Sequence, residues 1–163
     1  MKLYFVCHCV LNTCSKTRHS MDESYLAEEA RRRQFLTRVL ENGDQLIQLP
    51  CPEFLQYGHC RWGHARSQFD NPFFREQCRQ MLLPFVAQMQ EYAAFPDEFT
   101  LELIGIDGSP SCGVNSSFDG EGWGGESSAH CPAGSCHEKP GVFLSVLSQL
   151  LAERDLDIKI TAL

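Results

Sequence analysis

Short apolar runs alternate with long amphipathic segments along the whole chain, and that alternation leaves few folds open. Leu3–Cys7, Leu46–Leu49, Thr100–Ile106 and Ile158–Leu163 are the runs, each short enough for one strand, and Leu3–Cys7 is continuously apolar, as in strands buried on both faces. Between them, Asp22–Glu41, Pro72–Tyr92 and Gly141–Arg154 place large apolar residues three and four positions apart, the spacing of one helix face. Asn42-Gly43 supplies a stop for the first of these, and Pro84 predicts a bend in the second. Strands that alternate with helices imply right-handed crossovers, so the reading is an α/β, three-layer, Rossmann-like fold. Its sheet should be mainly parallel, with about four to five strands.

At 163 residues the chain fits a single domain, 1–163, interrupted by a Gly-, Ser- and Cys-rich loop over about 113–139. A chain of this length buries about 70% of its unfolded surface and needs no covalent staples. Its nine cysteines therefore call for another explanation. No apolar run approaches the ~20 residues of a membrane helix, and the first residues enter a strand pattern without a basic segment or cleavage site. The expectation is a cytoplasmic protein, where cysteines serve metal binding, catalysis or burial rather than a disulfide framework. A net charge of -7 argues against broad nonspecific nucleic-acid binding.

Open parallel sheets bind ligands outside the carboxyl ends of their strands. A cysteine stands at three such ends: Cys9 after the first strand, Cys51 in Pro50-Cys51-Pro52-Glu53 after the second, and Cys112 in Ser109-Pro110-Ser111-Cys112-Gly113 after the third. Three thiolates from three strand exits are a natural donor set for an iron-sulfur cluster or zinc. A cubane held by three would keep one iron open to a substrate atom. Glu53, presented by the same turn as Cys51, is a candidate proton shuttle, and Ser109 a candidate hydroxyl to orient substrate. The bland alternatives are buried thiols, a solvated carboxylate and a turn-capping serine.

Taken together, Cys9-Val10-Leu11-Asn12, Cys51-Pro52-Glu53 and Ser109-Pro110-Ser111-Cys112-Gly113 resemble the thiouracil desulfidase family, enzymes that remove sulfur from thiolated uracil or thiouridine. The resemblance implies a Rossmann-like fold and an oxygen-sensitive 4Fe-4S cluster on Cys9, Cys51 and Cys112. It also implies Glu53 and Ser109 as the catalytic pair, in a non-redox exchange of C=S for C=O with release of sulfide. The implied substrate is a thiolated pyrimidine, free or within an RNA such as tRNA. Cys14-Ser15-Lys16-Thr17-Arg18 after the first motif, and Phe54-Leu55-Gln56-Tyr57-Gly58 after the second, set the chain in a divergent subgroup.

Other candidates stand beside this reading. Arg61, Trp62, His64, Arg66, Lys16 and Arg18 leave the same sheet edge and could stack a base or meet a phosphate, or else form a Trp loop anchor among solvated arginines. His130, Cys131, Cys136 and His137 could hold zinc in one loop, the basis of an alternative, non-enzymatic interaction domain. Gly120–Gly125 with Trp123 could hinge a lid. A thiol redox protein is disfavoured because no Cys-x-x-Cys occurs. Cys7, Cys14, Cys60 and Cys78 have no assigned role.

Overall fold

The computed structural model describes residues 1–17, 23–120 and 134–163. Four parallel strands form its main sheet: β1 (Lys2–Val6), β2 (Gln45–Gln48), β3 (Thr100–Gly105) and β6 (Lys159–Ala162), in the order β2-β1-β3-β6. The connection from β1 runs outward to β2, and the next one crosses back over β1 to β3. With right-handed crossovers, the helix between β1 and β2 therefore lies on one face and the helices after β2 and β3 on the other. The order reverses between β1 and β3, which makes the crevice outside their carboxyl ends the favoured ligand site.

Helix α2 (Glu23–Glu41) packs Phe35 edge-on against Tyr4 of β1, with ring centroids 5.2 Å apart. It stops where Gly43 takes a φ of 70°, a left-handed turn that glycine enters without strain. On the opposite face lie α5 (Pro72–Ala93) and α6 (Val142–Ala152), packed on one another. Asn71 opens α5 by accepting a hydrogen bond from the Phe74 amide, and Pro72 occupies the first turn, where its missing N–H costs nothing. Pro84 lies inside α5, which runs through it as one element. Helix α6 buries Val142, Phe143, Leu144, Val146, Leu147, Leu150 and Leu151, an almost all-apolar surface that only an interior helix can carry.

Between these parts run short elements that periodicity does not signal: α1 (His8–Leu11), a 3-10 turn over Thr13–Ser15, α3 (Pro52–Tyr57) and α4 (Arg66–Phe69). Within the segment expected to be a long loop, β4 (Ser117–Asp119) and β5 (Ser135–His137) pair antiparallel, forming a second, two-stranded sheet. Gly120 follows β4; Trp123, His130 and Cys131 lie outside the described residues, as does Arg18.

Candidate active site

Each strand exit becomes a tight structure that aims a thiol. After β1 the chain turns at Cys7 into α1, which carries Cys9, and Cys9 Sγ lies 3.4 Å from the Ser15 hydroxyl. After β2, Cys51 is the N-cap of α3: its sulfur accepts a hydrogen bond from the Phe54 amide at 3.3 Å. Pro52 fixes the first turn and Glu53 follows on it, 8% exposed. After β3, Gly108 takes a φ of 82° and the Ser109–Gly113 turn closes, its Gly113 amide donating to the Ser109 carbonyl at 3.0 Å. Ser109 Oγ accepts from the Cys112 amide at 3.0 Å, and the Cys112 carbonyl is tied back to the Ile106 amide at 2.9 Å.

The structure brings all five expected site residues, Cys9, Cys51, Glu53, Ser109 and Cys112, to one cavity of about 240 Å³. His8, Lys16, Thr17, Arg61 and Ser111 also line it. A larger cavity of about 840 Å³ opens on the sheet face beside α2, between Lys2, Arg31, Arg38, Glu102 and Thr161. No cysteine lines it, and it lies on the face of the sheet rather than at the strand exits, so the chemistry points to the smaller one.

Beneath the thiols runs a continuous polar chain. Ser15 Oγ sits by Cys9, and the Ser15 carbonyl accepts from Arg61 Nη2 at 2.5 Å. Arg61 Nη1 donates to the Gly58 carbonyl at 2.9 Å, and Nε faces Glu53 Oε2 at 3.6 Å. Glu53 Oε1 accepts from Ser111 Oγ at 2.5 Å, and Ser111 Oγ lies 3.5 Å from Cys112 Sγ. Ser111 is 1% exposed. Lys16, at the rim, is ion-paired with Glu28.

The thiols do not ionise alike. Hydrogen bonding from the Cys51 thiol draws Cys9 down to about 7, helped by Ser15 and the Lys16 charge. The same pairing, with burial, pushes Cys51 upward, as expected of two thiols that share one proton. A hydrogen bond with Cys7 and full burial push Cys112 upward too. Cys7, which has no role assignable from sequence, thus lies behind Cys112. Cys78 is pushed up to about 12, chiefly by burial, and is a core thiol.

Cys9, Cys51 and Cys112 supply three sulfur donors to this cavity, and thiolates are customary ligands of iron-sulfur clusters and common ligands of zinc.

Other sequence candidates fall out differently. Trp62 is 86% exposed and anchors nothing, whereas Arg61 is buried, the reverse of a packed tryptophan among solvated arginines. His64 packs in a three-ring cluster with Tyr57 and Phe69, its Nδ1 buried without a hydrogen-bond partner among the described residues and its pKa lowered by burial. Arg66 bridges Asp70 and the Pro140 carbonyl. Cys136 and His137 are exposed neighbours on β5, whose side chains alternate between faces. Sequence reasoning misses Ser111 and the buried contact of Arg61 with Glu53. Ser111 stands inside a recognised motif, but nothing in its sequence position distinguishes it from Ser109.

Fold and site define a Rossmann-like α/β domain with a thiol-lined cavity at its topological switch point. The chain belongs to the family described as "Putative 2-thiouracil desulfurase", whose model matches residues 1–121. That stretch contains all three strand exits and stops short of Cys136. An uncharacterized protein of Methanocaldococcus jannaschii is 37% identical over 76 residues, 47% of each chain. The chain thus matches about half the length of that curated relative. No solved structure matches it. Among the described residues no helix is long and apolar enough to cross a membrane.

Proposed function

We propose that the protein is a desulfidase of a thiolated pyrimidine, 2-thiouracil or a thiouridine, exchanging C=S for C=O with release of hydrogen sulfide. The observation that carries this reading is the convergence of Cys9, Cys51 and Cys112 with Glu53 on one cavity, in a member of this family. Cys9, Cys51 and Cys112 would hold a 4Fe-4S cluster, which when bound supplies a Lewis-acidic iron for the substrate sulfur. The protein's part is proton handling. Glu53 takes a proton from the water that adds to the thiocarbonyl carbon and passes it to the sulfur, then takes the proton of the new hydroxyl as the carbonyl forms and passes it to the departing hydrosulfide, so thiocarbonyl and water give carbonyl and hydrogen sulfide. Ser109 Oγ accepts from the Cys112 amide, and its O–H would turn to the substrate to orient it. Thiols at all eight described cysteines suit a reducing compartment such as the cytoplasm.

Anaerobic purification tests the reading. The expected protein is brown, contains iron, and releases sulfide from 2-thiouracil, 4-thiouridine or thiolated tRNA. Cys51→Ser should lose the colour, while Glu53→Gln should keep it and release little sulfide. A colourless protein with stoichiometric zinc would refute the proposal.

A further inference from the structure

We propose that Ser111 is the residue that positions Glu53, acting on one carboxylate oxygen while Arg61 acts on the other. The inference rests on the reading of Glu53 as the proton carrier. A serine hydroxyl has one proton to give. At 2.5 Å from Glu53 Oε1 and 3.5 Å from Cys112 Sγ, Ser111 gives it to the charged oxygen, the stronger acceptor. Ser109 Oγ is instead engaged by the Cys112 amide and meets Ser111 only at 3.4 Å, so it shapes the turn.

The other side of the carboxylate faces a fixed charge. Arg61 has its two terminal nitrogens fixed on the Ser15 and Gly58 carbonyls, which leaves Nε facing Glu53 Oε2 with no other partner among the described residues. The guanidinium cannot swing away without stranding two carbonyls. Ser111 is equally constrained, because the Val142 and Leu144 amides of α6 grip the Pro110 and Ser111 carbonyls at 3.0 and 3.2 Å. Glu53 therefore sits between a hydroxyl that donates to it and a guanidinium tied down by two carbonyls. Without the Ser111 hydroxyl, the carboxylate is free to rotate toward Arg61 and away from the cavity.

Two measurements on the full chain test this. In the iron-loaded enzyme, Ser111→Ala should keep the wild-type iron content and KM for 2-thiouracil while kcat falls about tenfold to a hundredfold, as misplacing a catalytic group by ~1 Å does. An unchanged kcat, or a rise in KM alone, overturns the assignment. In the iron-free protein, a double-mutant cycle by chemical denaturation pairs Glu53→Ala with Ser111→Ala, and separately with Ser109→Ala. Coupling should be clearly larger for the Ser111 pair, and equal or smaller coupling overturns the contact. If wild-type protein with a cluster released no sulfide from any thiolated base, the desulfidase reading would fall, and the catalytic role of Ser111 with it. Coupling absent while wild-type turnover is intact refutes only the Ser111 assignment.

Discussion

A methyl group added at Gly141 should damage a site whose cysteines all lie at least 29 positions earlier in the chain. Gly141 caps α6 with φ -62° and ψ 155°, values that alanine adopts freely, so backbone strain contributes nothing. A Cβ there would lie 2.3 Å from the Ser111 carbonyl carbon, 2.4 Å from its oxygen and 2.7 Å from the Cys112 nitrogen. These are backbone atoms in the turn that presents Cys112, and they have no rotamer by which to yield. Replacing glycine by alanine restricts the unfolded chain and by itself stabilises by about 0.4–1 kcal/mol. Overpacking a tight contact costs about 1–3 kcal/mol. The clash should win by roughly 0.5–2 kcal/mol, lowering Tm by about 2–6 °C in a chain of this length. Gly63→Ala is the matched control, since nothing lies within 4 Å of its Cβ. Differential scanning fluorimetry on the iron-free protein should order them Gly63→Ala at or above wild type, and Gly141→Ala below. Iron uptake by Gly141→Ala should fall as the Ser111–Cys112 turn shifts. If Gly141→Ala melts with Gly63→Ala, the close packing of α6 on the cysteine turn is wrong.

Iodoacetamide labelling of the iron-free protein, read by peptide mass, should modify Cys9 with a midpoint near pH 7. Cys51→Ala should move that midpoint up, because the hydrogen bond that favours the Cys9 thiolate is lost. Cys78, buried and raised to about 12, should stay unmodified through pH 9 in the folded protein. Leu147→Ala, at a fully buried position on α6, should cost about 2–5 kcal/mol by urea denaturation with an unchanged slope. Arg61→Met should cost roughly 3 kcal/mol by stranding the Glu53 charge, and Glu53→Gln in the same chain should recover part of it.

Elements with strong periodicity are legible in the amino-acid pattern itself. The helices expected over 22–41, 72–92 and 141–154 form as Glu23–Glu41, Pro72–Ala93 and Val142–Ala152, and the four strands fall within a residue or two of expectation. Helices of one or two turns such as α3 are not legible, being too short for a repeating pattern and held by caps: the Cys51 sulfur on the Phe54 amide is a local cap that no propensity scale ranks. Three cysteines at three strand exits are visible because strand ends can be read from sequence. Ser111 is not, because the choice between two serines in one turn is made by which one faces a carboxylate 58 positions away. Arg61 is deceptive for a similar reason. Beside an exposed Trp62 it looks like surface, and only burial against Glu53 and Ser15 shows what it does.

The separation of Cys9, Cys51 and Cys112 along the chain also dictates when the site can exist. The three meet only after β1 has paired on one side with β2 and on the other with β3, contacts that close loops of tens of residues and are slow to form. No excised peptide around one cysteine can reproduce the arrangement, and a nascent chain has no place to receive iron until its sheet has zipped. If the site takes the proposed cluster, metal acceptance is therefore a late step in folding. The colour of the purified protein would then report correctly paired strands as directly as it reports catalytic competence.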